Sequence, residues 1–144
     1  MQLKTQTAVI TGASTGIGRA IALAFAQQGA NLILHAKSNQ DQLSKTAELV
    51  QEHGVKCTTH LADLTCQQSR EHFVQTVLAS GLINIWVNNA GADILTNVNS
   101  DLNFSEKLQL LWEMDVQGTI EVCRLIGEAF TETGKRANAV ILNM

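Results

Sequence analysis

Thr11-Gly12-Ala13-Ser14-Thr15-Gly16-Ile17-Gly18 is the stretch on which the fold of this chain turns. The β-branched run ahead of it, residues 7–11 (TAVIT), reads as a strand. Behind it, apolar residues recur at Ile17, Ile21, Ala24 and Phe25, the spacing of one helix face, until Gly29 stops the helix after Gln28. A glycine-rich turn between a strand and a helix points the turn's N–H groups and the helix N-terminus outward together. Such a junction holds an anion, most often a pyrophosphate. Gly12 is expected to permit the tight turn, Gly16 to let a ligand reach the backbone, and Gly18 to let the helix pack closely on the strand. An ordinary Gly-rich turn is the plain alternative, and its place as the first strand-to-helix turn argues against it.

Outward from this turn the elements alternate. Residues 31–36 (NLILHA) form a second expected strand. Asp41 is expected to cap a helix through Leu43, Ala47, Leu49 and Val50 to His53, ended by Gly54. Residues 55–60 form a third strand, and Thr65 caps a helix carrying Phe73, Val74, Val77 and Leu78 on one side, ended by Gly81. Residues 82–87 (LINIWV) are a fourth strand, followed at once by Asn88-Asn89-Ala90-Gly91. An Asn-rich loop covers residues 92–105, Ser105 opens a long helix to about Thr131, and residues 139–143 (AVILN) form a fifth strand. Strands separated by single helices imply right-handed crossovers and a parallel sheet covered on both faces. The expected fold is α/β, a doubly wound, Rossmann-type parallel sheet in the order 3-2-1-4-5, with a crevice where strands 1 and 4 diverge.

Composition narrows the function classes. The 144 residues fit one domain, and 45% hydrophobic with 16% charged residues excludes a disordered chain. A net charge of −3 with no basic block speaks against nucleic acid as a partner. No apolar run approaches the roughly 20 residues of a membrane span, and residues 20–26 lack a signal-peptide pattern. Cys57, Cys66 and Cys123 follow no framework spacing and read as reduced thiols of a cytoplasmic protein. Among His53, Cys57, His60 and Cys66, Cys57 and His60 would point to opposite faces of a strand, so no metal site is expected. Trp86 and Trp112 read as core or interface residues, and Cys123 as a small core hydrophobe. Proline and tyrosine are both absent, so a mechanism that needs a phenol cannot run in these residues alone.

TGxxxGIG at the first turn, Asp63-Leu64 after the third strand and Asn88-Asn89-Ala90-Gly91 after the fourth together resemble the short-chain dehydrogenase/reductase family, over the whole chain. The resemblance implies a nicotinamide cofactor. Gly12, Ser14, Thr15, Gly16 and Ile17, in the turn that Gly18 closes, would meet its adenosine ribose and pyrophosphate. Asp63 and Leu64 would hold the adenine, and Asn89, Ala90 and Gly91 would line the nicotinamide-side ribose. Asp63 also reads as a carboxylate serving a helix dipole, and Asn88 as a structural tie between strands. At the end of the second strand Ala36 stands where NAD-dependent members carry Asp, while Lys37 and Ser38 suit a 2′-phosphate. NADP(H) is therefore favoured over NAD(H), with a solvated surface lysine as the alternative. His35 could join the phosphate site, lie against the adenine, or be a packed strand histidine.

Two departures from the family pattern matter. Asp115 occupies the position of an Asn that distorts the long helix and holds a relay water, and an ionised Asp cannot donate as an amide does. The catalytic Ser and the YxxxK motif have no counterpart in residues 1–144. The resemblance thus implies hydride transfer between NADP(H) and a small carbonyl or alcohol substrate, with residues 1–144 as the truncated, cofactor-binding half of a longer enzyme, inactive alone. The rival readings are a non-catalytic dinucleotide-binding module and a decayed fragment. A second copy is expected to cover the helix of residues 105–131, whose apolar residues fall around most of its circumference.

Overall fold

A computed structural model of the chain describes residues 2–132 and 139–144. Strands β1 (Thr7–Ile10), β2 (Asn31–Ala36), β3 (Cys57–Leu61), β4 (Ile85–Asn88) and β5 (Val140–Asn143) form one sheet in the order β3-β2-β1-β4-β5. Every pairing is parallel, with Ala8 beside both Leu32 and Ile85, and Trp86 beside Ile141. The expected doubly wound sheet and its strand order are what the chain adopts.

Alternation along the strands sorts the core into two layers. Ala8, Ile10, Leu32 and Leu34 face helices α1 (Gly16–Gln27) and α2 (Gln40–Gln51), meeting Ala22, Ala26, Leu43 and Val50. Val9, Ile33 and Trp86 face the other way, toward Phe73, Val74 and Val77 of α3 (Gln67–Ala79) and Val122 and Ile126 of α5 (Thr119–Glu132). Burial on both faces explains why Leu32, Ile33 and Leu34 of β2 are all apolar rather than alternating with polar residues.

Several local expectations are corrected. Thr11 falls outside β1 and belongs to the turn, β3 begins at Cys57, and β4 begins at Ile85. The cap of α2 is Asn39, whose Oδ1 accepts the Gln42 N–H at 3.1 Å, and Asp41 sits in the first turn. Thr65 does not cap α3. Cys66 holds that position without a side-chain cap, and the Thr65 hydroxyl donates to Asp63 instead. The loop of residues 92–105 contains a 3₁₀ turn, Asn97–Asp101. The long helix starts one residue early, at Phe104, because Asn103 and Glu106 form a reciprocal capping box. It is also not one regular helix. Between α4 (Phe104–Leu111) and α5 lies a π-helical stretch, Trp112–Gly118, which contains Asp115. No helix among the described residues is long and apolar enough to cross a membrane.

Candidate functional site

The β1–α1 turn and the β4 end interlock. The Thr11 hydroxyl accepts N–H bonds from Asn89 and Ala90, each 3.0 Å, while the Asn89 amide donates to Thr11 O at 3.0 Å and to Gly12 O at 3.2 Å. A methyl group on Gly18 would lie 2.2 Å from Gly12 O, so the helix start rests directly on the turn. Gly16 instead has a left-handed φ of +56° and open space where a Cβ would project. The two glycines thus differ: Gly18 is a packing position, and Gly16 faces open space.

Above this turn opens a cleft of about 540 Å³ at the C-terminal ends of the strands. Gly12, Ser14, Thr15, Gly16 and Ile17 line one side of it, and Asn89, Ala90 and Gly91 line another. Lys37 and Leu64 close the end beyond β2 and β3. Thr15 precedes α1 without making a side-chain cap, and no acidic residue stands in the first turn. The first N–H groups of α1 thus lack the partner a capping side chain would provide, at the positive end of the helix dipole. Ile17, 64% exposed, is an apolar side chain turned toward the same opening. Arg19 fixes the turn from outside, donating to Ser14 O, to Gln42 Oε1 at 2.8 Å and to Thr46 Oγ1 at 2.9 Å.

At the β2–β3 end, Lys37 Nζ lies 3.0 Å from Asp63 Oδ2, with both groups partly exposed. Asp63 Oδ1 also accepts from the Thr65 N–H at 3.0 Å and the Thr65 hydroxyl at 2.6 Å. Partial burial would raise its pKa, but the Thr65 and Lys37 contacts outweigh that and hold the carboxyl below the usual carboxylate value. The structure thus joins two residues the sequence had assigned separately, to the 2′-phosphate and to the adenine. Ser38 lies apart from the cleft, in a shallow depression beside Asn39 and Asp41.

The Asn pair divides into two structural ties. Asn88 accepts from Trp86 Nε1 at 2.9 Å and donates to Asn143 Oδ1 at 2.8 Å, joining β4 to β5. Its amide also reaches Cys123 Sγ at 3.3 Å, so Cys123 belongs to a polar cluster and is only half-buried. Asn89 borders the cleft, yet its amide is spent on the Thr11 and Gly12 carbonyls. Asp115 stands outside the cleft lining, and its Oδ1 accepts the Ala92 N–H at 2.9 Å, anchoring the loop after β4 to the π stretch. Trp86 is wholly buried, whereas Trp112 is exposed. Burial pushes the Cys57 thiol up to about 11, away from nucleophilic use at neutral pH. Among the described residues no group of three or more His, Cys, Asp or Glu is placed to share a metal ion.

Some contributors were beyond sequence reasoning. Leu110 and Met114, from α4 and the π stretch, complete the cleft wall, and only the tertiary path of that helix brings them there. Arg70 is 4% exposed, donates to Leu64 O at 2.7 Å, and buries an Nε with no partner. An arginine on the polar-looking first turns of α3 gives no sequence sign of burial. His35 is a packed strand residue, 1% exposed, and also borders the cleft.

A parallel sheet with a glycine turn at its switch point defines the class of dinucleotide-binding α/β domains. Family comparison makes this specific: residues 6–144 match the family described as short chain dehydrogenase, and the chain belongs to it. Over 143 residues, 99% of this chain and 53% of the relative, it is 28% identical to 3beta-hydroxysteroid dehydrogenase 1 of Eggerthella lenta. Among solved structures, an alcohol dehydrogenase from Thermococcus sibiricus complexed with 5-hydroxy-NADP is 35% identical. It superposes at a TM-score of 0.79, over 96% of this chain and 57% of its own. NAD+-bound xylitol dehydrogenase, 24% identical, shares the fold at a TM-score of 0.85, over 99% of this chain and 54% of its own. The chain spans about half the length of the curated relatives it matches.

Proposed function

We propose that residues 1–144 form a single NADP(H)-binding domain of an oxidoreductase that moves hydride between the cofactor and a small carbonyl or alcohol substrate. The observation that carries this reading is the uncapped N-terminus of α1, opening with Gly16 into a cleft walled by the ends of β1, β2 and β4. Backbone N–H groups there would hold the pyrophosphate, with Ser14, Thr15 and Ile17 beside it. Leu64 and the Asp63 segment would meet the adenine, and Ala90 and Gly91 the nicotinamide-side ribose. The cofactor supplies the hydride chemistry, and the protein supplies position and field.

Support for NADP(H) over NAD(H) comes from Lys37 at the adenosine end and from Ala36, which leaves no carboxylate at the end of β2 to repel a 2′-phosphate. Lys37 is partly exposed and already faces Asp63, so its contribution is discounted to about 1 kcal/mol, several-fold in affinity. The 144 residues contain no tyrosine, so turnover by them alone is not expected. A row of exposed apolar residues on α4–α5 suits a second copy of the chain as its cover.

Nicotinamide fluorescence titrations test the reading. NADPH should bind several-fold tighter than NADH, Lys37→Ala should weaken NADPH alone, and Gly16→Val should abolish both. Tighter NADH binding, or equal loss of both cofactors in Lys37→Ala, would overturn the cofactor assignment. A ketone and secondary-alcohol panel should show no turnover above background.

A further inference from the structure

His35, on β2, stands between the β1–α1 turn and the end of β3. Its ring is 1% exposed, and both nitrogens are engaged. Nε2 lies 2.9 Å from Ala62 O at the end of β3, and Nδ1 faces the Gly12 N–H at 3.4 Å across the β1–α1 turn. These partners dictate the proton's position. A carbonyl oxygen only accepts and a backbone N–H only donates, so Nε2 carries the hydrogen and Nδ1 offers its lone pair. Backbone reinforces the link, since Ala13 N donates to His35 O at 2.8 Å. Phe73 packs beneath the ring at 4.8 Å between centroids and itself meets Trp86 edge-on at 5.8 Å, which fixes the imidazole plane. Gly12 is consequently held at both ends, its N–H by His35 from β2 and its C=O by Asn89 just after β4.

We infer that His35 is a positioning residue for the nucleotide: as a neutral imidazole protonated on Nε2, it offers Nδ1 to the Gly12 N–H and so holds the glycine turn in place, with the Ala62 contact serving to orient the ring. It does not itself need to touch the ligand. The inference rests on the nucleotide-binding reading above and adds a residue and a tautomer to it. Burial, by pushing the imidazole pKa down to about 4, keeps the ring neutral at physiological pH.

Two variants separate the arms of this brace. His35→Asn places an acceptor near the Nδ1 position and gives up the bond to Ala62, whereas His35→Gln places a donor near Nε2 and gives up the bond to Gly12. Both should melt below the parent, because each leaves a buried polar group unpaired. Their NADPH affinities should part: His35→Asn close to the parent, His35→Gln weaker by about five- to tenfold, the worth of one hydrogen bond to the turn. Nitrogen NMR of the histidine-labelled parent should show His35 neutral with its proton on Nε2, with and without NADPH. An imidazolium, a proton on Nδ1, equal affinity losses in the two variants, or a greater loss in His35→Asn would overturn the inference. A parent that binds no nucleotide would refute the functional reading, and the tautomer measurement would still decide whether the brace exists.

Discussion

Gly18→Ala and Gly16→Ala are the same chemical change two residues apart, and the structure assigns them opposite consequences. A Cβ on Gly18 would stand 2.2 Å from Gly12 O and 2.6 Å from Asn89 Nδ2, about 1 Å or more inside ordinary contact at about 3.5 Å. Neither neighbour is a free side-chain end. One is the backbone of the turn, and the other is an amide committed to two carbonyls. Overpacking of this kind costs about 1–3 kcal/mol. Displacing the Asn89 amide forfeits further hydrogen bonds at about 1 kcal/mol each, for a total near 3–5 kcal/mol. Gly16→Ala meets nothing within 4 Å, and its penalty is the φ of +56°. That strain, about 1–2 kcal/mol, is partly offset by a stiffer unfolded chain, leaving about 1 kcal/mol. Urea unfolding followed by tryptophan fluorescence measures both, since Trp86 is wholly buried in the folded state. The Gly16 variant should keep its fold and, on the proposed nucleotide-binding reading, lose NADPH affinity tenfold or more, because its methyl group would project into the open space at the start of α1. A Gly18→Ala loss below about 1 kcal/mol, or a Gly16→Ala loss exceeding it, would refute the reasoning.

Three further outcomes are expected. Because the folded-state pKa of His35 lies near 4 against 6.5 for the free side chain, its contribution is present above pH 6.5 and lost as pH falls toward 4. The slope reaches about 1.4 kcal/mol per pH unit and the total about 3 kcal/mol. Depression of the His60 pKa by burial acts in the same direction, whereas the lowered Asp63 pKa matters only at more acid pH. Urea midpoints between pH 8 and 5 should therefore fall less steeply in His35→Asn, and an unchanged slope would count against the buried neutral imidazole. Arg70→Met removes a buried charge with an orphaned Nε and no carboxylate partner among the described residues, so chemical denaturation should find it within about 1 kcal/mol of the parent or more stable; a loss beyond 3 kcal/mol would reveal a stronger role for its bond to Leu64. Trp112→Lys, at a side chain 56% exposed, should leave the melting temperature unchanged while shifting sedimentation toward monomer. An unaltered association state would place any contact between copies elsewhere.

The sheet was legible because its signals are short-range and redundant. Residues 31–36 carry the apolar run Leu32–Leu34 between Gly29 and a polar stretch, and β2 spans the same six residues. The glycine turn was legible for a similar reason, since its place between a strand and a helix marks it, and Gly18 packs on it as expected. Competition among neighbouring polar groups was harder to foresee. Asn39 and Asp41 can each cap a helix, and so can Thr65; the choice fell to Asn39, while Thr65 was drawn to Asp63. The cleft was half visible. The sequence singles out Lys37 and Asp63 separately, but their 3.0 Å pairing depends on how β2 and β3 align. The roles of His35 and Arg70 required the third dimension, since no periodicity marks which polar side chain on a half-buried element turns inward.

The π stretch, Trp112–Gly118, determines what the long helix shows to its surroundings. Phe104, Leu108, Trp112, Val116 and Ile120 recur every four residues and are all exposed. Met114, Gly118, Val122 and Ile126 recur every four as well and are all buried. In a uniform α-helix a four-residue repeat overshoots one turn of 3.6 residues and winds about 40° around the axis at each step. Over sixteen residues such rows would spiral from one side of the helix toward the other. A π turn, closed from i to i+5, takes in more residues and winds a four-residue repeat back in the opposite sense. The wider turns in mid-helix thereby straighten both rows, keeping the Met114–Ile126 seam on the core and the Phe104–Ile120 seam toward solvent.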